Sequence, residues 1–168
     1  MKVIISLSDT FHCAKERAFK APILGDATKF LNGYLFQPPI IAFEEDETWG
    51  QINGFRYPFT AGNFWTPKGR LVTDVTLERI ENQYWKWMIL EFKVPFLFFV
   101  DKGIGEWIVE EKHANEIFVK YKYTYFPKHT VYYIVLWLFC QIQVKGLMKQ
   151  AIKGIRKQAE SGDAFVYK

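Results

Sequence analysis

The chain has 168 residues, 49% of them hydrophobic and 24% charged, enough for one domain with its own core, which excludes a disordered or collagen-like chain. Its net charge of +4 is a mild excess, short of the dense basic clustering of a nucleic-acid binder, so no nucleic-acid partner is expected. With 6 Trp, 9 Tyr and 16 Phe, aromatics reach 18% of the chain, more ring surface than a core of this size requires. Something apolar besides the core is expected to meet them.

The N-terminus begins apolar but reaches Asp9 before signal-peptide length, so secretion is not expected. Cys13 and Cys140 fit neither a metal spacing nor a multi-bridge scaffold and are read as reduced thiols of a cytoplasmic protein. Residues 10–20 are β-compatible and read as a strand stopped by Pro22, after which Asp26 is offered as the N-cap of a short helix. Pro38-Pro39 breaks the chain, and Ile40-Ile41-Ala42-Phe43 opens an apolar run that ends in the acidic stretch 44–47. An antiparallel meander follows, with Gly50, Gly54, Gly62, Gly69, Asn82, Gly103, Gly105 and Asn115 read as turns. Five β-rich runs lie between them, at 55–60, 70–80, 84–94, 106–113 and 116–126. No repeat or linker divides residues 1–168, which are taken as a single unit.

Strand alternation sorts side chains into faces. Leu71, Thr73, Val75 and Leu77 form one set, and Ile117, Val119, Tyr121, Tyr123 and Tyr125 another, with Lys120 and Lys122 pointing the other way. The 84–94 run is apolar on both faces: Tyr84, Met88, Leu90, Phe92 and Val94 on one, Trp85, Trp87 and Ile89 on the other. Each face needs cover, from a helix or ligand on one side and a loop or second subunit on the other. After Pro127 the pattern is helical over 130–160, about 45 Å at the standard rise per residue. Its first half is apolar almost all round. The second half carries Leu147, Met148, Ala151, Ile152 and Ile155 on one stripe and Lys145, Lys149, Lys153 and Lys157 on another, read as a solvated face ahead of an anionic-membrane or nucleic-acid surface. The uninterrupted apolar run 131–140 is shorter than a bilayer span, so no integral membrane segment is expected.

His12, His113 and His129 form no zinc spacing, so no metal is expected. No cofactor is expected either, because Gly103-Ile104-Gly105 lacks the third glycine of a dinucleotide fingerprint and no Gly-Lys-Ser/Thr phosphate loop occurs. Ser6, Ser8 and Ser161 sit near the termini, outside any nucleophile elbow. Glu91, Glu111 and His113 are the candidates for general acid–base work if alternation turns them inward, against plain exposure for the last two at a hairpin end. Arg56, between Phe55 and Tyr57, is read either as an anchor for a ligand carboxylate through its planar fork or as an arginine on the convex face. Tyr121, Tyr123 and Tyr125 suit ligand contact and core packing equally.

Phe19-Lys20-Ala21-Pro22 leading into Ala27-Thr28-Lys29-Phe30-Leu31, then Gly54-Phe55-Arg56, Gly69-Arg70-Leu71-Val72, Gly105-Glu106-Trp107 and the long helix after Phe126-Pro127 follow one another in a familiar order. In that order and spacing the sequence resembles the START-like (SRPBCC) superfamily, particularly its polyketide cyclase/dehydrase and lipid-transport branch. Where that family often has Gly-Thr near the start of the last strand, this chain has Asn115-Glu116-Ile117. The resemblance implies an α+β helix-grip fold, a curved antiparallel sheet around the C-terminal helix with an apolar cavity between them. Its expected lining is Arg56, Tyr57, Leu71, Thr73, Val75, Met88, Leu90, Trp107, Tyr121, Tyr123, Leu138 and Ile142. The leading expectation is a carrier of a small hydrophobic ligand, lipid or polyketide-like. The alternatives are a cyclase- or hydratase-type enzyme and an interaction module that binds a protein partner or forms a homodimer.

Overall fold

The computed structural model describes residues 1–163, so residues 164–168 of the expected unit lie outside the described residues. Strand β1 (Val3–Phe11) buries Val3, Ile5 and Phe11 and leads into helix α1 (Lys15–Leu24), which turns Ala18, Phe19, Ala21, Pro22 and Ile23 inward. A 3-10 turn over Ala27–Lys29 follows, capped by Asp26, whose carboxylate accepts the Thr28 N–H at 3.1 Å. The strand expected over 10–20 is thus corrected to the end of β1 and most of α1.

Pro22 misleads because it sits inside the helix without stopping it. Its missing N–H leaves the Ala18 carbonyl without a helical partner, and the Trp107 indole N–H donates to that oxygen at 3.1 Å. The Trp49 indole N–H does the same for Ile23 at the helix end, at 2.9 Å. Two sheet-side tryptophans therefore supply donors that the helix cannot supply itself.

The remaining strands are β2 (Ile40–Glu45), β3 (Phe55–Thr60), β4 (Gly69–Arg70), β5 (Thr73–Ile80), β6 (Tyr84–Leu90), β7 (Val100–His113) and β8 (Glu116–Pro127). They form one antiparallel sheet in the order β1-β8-β7-β6-β5-β3-β2, with β4 pairing β3 off that path. Asn82 and Asn115 adopt left-handed φ of 59° and 60° in hairpin turns, as expected. Gly103 and Gly105 do not mark turns and lie within β7. A Cβ on Gly105 would run into the Trp87 indole, and one on Gly103 would press on the Tyr125 ring, so these glycines admit rings against the backbone.

After β8 the chain is helical over Thr130–Glu160: a 3-10 turn (Thr130–Tyr132), α2 (Tyr133–Phe139), a π turn (Cys140–Val144) and α3 (Lys145–Glu160). By length and composition alone this stretch is long and apolar enough to cross a membrane. Its inner stripe, Leu136, Cys140, Val144, Met148, Ile152 and Ile155, is nevertheless buried in the core that the sheet and α1 share. Arg156 ties α3 to β1 through Asp9 at 2.9 Å, and Arg17 on α1 donates to the Ala159 carbonyl at 2.7 Å. A curved antiparallel sheet holding a long C-terminal helix is the expected α+β helix-grip architecture.

Trp107→Phe removes the donor to Ala18 and is expected to cost about 1–3 kcal/mol beyond lost packing. In a Pro22→Ala background the restored helical N–H takes over that carbonyl. Urea unfolding of the four variants should therefore show a smaller Trp107→Phe penalty with Ala at position 22.

Candidate functional site

Between the concave sheet face and the helix lies a cavity of about 170 Å³. β6 contributes Trp85, Trp87 and Ile89, β7 contributes Trp107, and β8 contributes Tyr121, Tyr123 and Tyr125. Phe139, Gln143, Val144 and Met148 close it from the helix. The rings hold one another: Trp85 stacks on Trp87 at 4.2 Å, Trp107 meets Tyr121 edge-on at 5.3 Å, and Trp87 meets Tyr123 edge-on at 5.6 Å. A cavity of roughly 150 Å³ holds benzene, so this one accommodates a single ring without rearrangement.

One part of the wall is charged. Arg56 Nε donates to Asp74 Oδ2 at 3.1 Å, with both residues buried, and the guanidinium lies 4.2 Å from the Trp49 ring and 4.8 Å from the Phe43 ring. Among the described residues the terminal nitrogens of Arg56 make no hydrogen bond, which leaves donors at the cavity wall. Burial pushes the Asp74 carboxyl upward, and the Arg56 charge offsets part of that rise. The Tyr121 hydroxyl donates to the Tyr123 oxygen at 2.9 Å. Burial raises the phenols of Tyr121, Tyr123 and Tyr125, and the Asp74 charge raises all three further, so acid and phenols share one electrostatic zone. Gln143, in the π turn, donates to the Tyr34 carbonyl at 2.6 Å and fixes the 34–37 loop against the helix. Burial pushes the Cys140 thiol up to about 12, which makes it unreactive at neutral pH. Among the described residues no group of three His, Cys, Asp or Glu side chains is placed to hold a metal ion.

Of the residues expected in the lining, Arg56, Leu71, Trp107, Tyr121 and Tyr123 reach the cavity. Tyr57, Thr73, Val75, Met88 and Leu90 do not. In the β5–β6 register Thr73 faces Leu90 and Val75 faces Met88, while the alternate pairs Asp74–Ile89 and Thr76–Trp87 turn inward. Tyr57 lies beneath the Arg70 guanidinium at 3.9 Å, and the Thr73 hydroxyl bonds Glu91 at 2.7 Å. Leu138 and Ile142 occupy the helix's outer face, 47% and 55% exposed. The acid–base candidates are corrected too: Glu91 is exposed and paired with Arg70, and Glu111 and His113 are exposed at the β7–β8 hairpin end. Asp74, Trp85, Trp87, Ile89 and Gln143 were not among the expected lining. The available signal was parity, since an acid flanked by Thr73 and Val75 belongs to the strand face opposite theirs.

The chain has a helix-grip fold, the architecture that its resemblance to the START-like superfamily implies. Among solved structures it is similar to norcoclaurine synthase from Thalictrum flavum in complex with dopamine and hydroxybenzaldehyde, with a TM-score of 0.69 and 12% identity over 98% of this chain and 90% of that one. It is also similar to TTHA0849 from Thermus thermophilus, at TM-score 0.68 and 12% identity over 96% and 100% of the two chains. Ara h 8.0201 follows at 0.66 and 14% over 96% and 97%. No protein-family model matches the chain, and no curated protein matches it in sequence.

Asp74→Asn leaves the Arg56 charge buried without its counter-ion and is expected to cost about 3–5 kcal/mol in urea unfolding. The double variant Arg56→Met with Asp74→Leu removes both charges and should cost less. Because the folded state raises the phenols of Tyr121, Tyr123 and Tyr125, their stabilising contribution is complete below the unfolded pKa of about 10 and is lost as pH rises above it. Absorbance titration should show these three ionising only together with alkaline unfolding, whereas exposed tyrosines titrate beforehand.

Proposed function

We propose that the protein binds a small, mainly apolar molecule of about one aromatic ring, its polar end directed at Arg56, Asp74 and Tyr123. The observation that carries this is a largely apolar, ring-rich cavity of about 170 Å³ whose wall includes the buried Arg56–Asp74 pair and the Tyr121–Tyr123 hydroxyls, the composition that small-molecule sites share. Rings supply contact area, and the free donors of Arg56 and the Tyr121–Tyr123 pair set orientation. The ligands of the similar norcoclaurine synthase, dopamine and hydroxybenzaldehyde, are single rings with polar substituents, which supports the size class. A lipid chain or a polyketide would need the wall to open.

A second reading, an enzyme of cyclase or hydratase type, passes from Glu91, Glu111 and His113 to Asp74 and Tyr123. A buried carboxyl whose pKa burial raises, and whose charge acts on neighbouring phenols, is a group able to exchange a proton with a bound molecule.

Because Trp85, Trp87 and Trp107 stand in the wall, intrinsic fluorescence reports occupancy. Titration with hydroxybenzaldehyde is expected to give a saturable change, weakened roughly two- to tenfold in Tyr123→Phe through loss of one hydrogen bond. Leu71→Trp fills the cavity and should abolish the change with the fold intact. Absence of any saturable change across hydroxybenzaldehyde, dopamine and toluene would sink the proposal.

A further inference from the structure

The outer face of the C-terminal helix is apolar and uncovered. Val131, Ile134, Val135, Leu138 and Ile142 fall at helical spacing on that face, with exposures from 47% to 79%. Phe98, 60% exposed, packs edge-on against Tyr132 at 5.6 Å and widens the patch beside the helix's start. On the far side, Phe36 and the exposed Trp65 meet edge-on at 5.5 Å in loops held near Gln143. Exposed apolar groups scattered singly are ordinary, whereas a contiguous stripe of this kind marks a surface that meets something apolar.

The charge beyond the stripe says what that is. The same solvent-facing side of the helix continues into Lys149, Lys153 and Lys157, all exposed. No Asp or Glu occurs anywhere between Glu116 and Glu160, an interval that holds seven lysines and Arg156. An open groove between this end of the helix and the end of the Ala27–Lys29 turn gathers Lys29, Lys153 and Lys157 with Asn32 and Gln150. A helix face that is apolar over its first turns and carries Lys149, Lys153 and Lys157 over its later ones, with Glu160 as its one acid, complements a surface that is itself apolar beneath an anionic layer. A second copy of the chain would match the apolar half but would set its lysines mainly against lysines, since Glu160 is the one acid on this helix. A spanning orientation would strip Leu136, Cys140, Gln143 and Val144 of their packing in the fold.

We propose that the outer face of the Thr130–Glu160 helix docks on the surface of an anionic phospholipid bilayer, with Ile134, Leu138 and Ile142 entering the acyl boundary and Lys149, Lys153 and Lys157 engaging headgroup phosphates. Docking leaves the inner face and the cavity intact and is independent of what the cavity holds.

Flotation with vesicles tests it, using pure phosphatidylcholine against an equal mixture of phosphatidylcholine and phosphatidylglycerol. The intact protein is expected to float with the mixed vesicles, to bind pure phosphatidylcholine at least tenfold more weakly, and to be released by high salt. Each lysine at the surface is worth about fivefold, so Lys149→Glu with Lys153→Glu should weaken binding by roughly 25-fold or more. Ile134→Glu with Leu138→Glu should abolish it. Near-ultraviolet circular dichroism checks that these surface variants keep the native packing. Failure to float with the mixed vesicles overturns the proposal, as does binding that ignores both pairs of substitutions. Sedimentation showing a dimer that Ile134→Glu with Leu138→Glu dissociates, without vesicle binding, assigns the face to a second copy and overturns it as well.

Discussion

An indole can lie flat on a neighbouring strand only where that strand has no Cβ beneath it, and Trp87 finds this at Gly105. The concave face depends on that fit. With Gly103 and Gly105 in the middle of β7, the rings of β6 and β8 lean over β7, and Trp107 is left to reach α1. Trp107 then completes the hydrogen bonding of a helix that Pro22 leaves one donor short, so the contact that shapes the wall also seats the first helix. The rings are locked stacked and edge-on against one another, and the gap left between them and the C-terminal helix is the cavity.

The polar zone within that cavity is costly by ordinary reckoning. A buried ion pair gains little over apolar side chains of the same volume because both charges are desolvated. Arg56 recovers part of the loss by lying against the rings of Trp49 and Phe43, and it keeps its terminal donors uncommitted. Asp74, acting on three phenols at once, makes the zone electrostatically continuous across β5 and β8. An ion pair kept at such cost, within a wall otherwise mostly apolar, is what gives the cavity a direction as well as a volume.

The C-terminal helix joins this interior to the exterior. Its inner stripe packs in the core that holds the sheet and α1, Gln143 in the π turn holds the 34–37 loop, and its outer stripe changes from apolar to cationic along the axis. The two faces are chemically independent, because residues three and four apart share a face while their immediate neighbours do not.

Much of this was legible in one dimension. The hairpin turns at Asn82 and Asn115, the strand over Phe55–Thr60, the long helix and the alternating tyrosines of β8 follow from turn chemistry and from periods of 2.0 and 3.6, which local sterics impose on any chain. Period two divides a strand into two faces without saying which is inside. It therefore separates Thr73, Val75, Met88 and Leu90 from Asp74, Trp87 and Ile89, but only the folded sheet turns the second set to the cavity. Likewise, the apolar first half of the helix gave no sign that Leu138 and Ile142 face outward. Pro22 and Gly105 misled because the groups that answer them, Trp107 and Trp87, stand far away in sequence. Local periodicity is set by the backbone alone, but the choice of face and the placing of a ring over a glycine depend on strand register, which exists only once distant segments have paired.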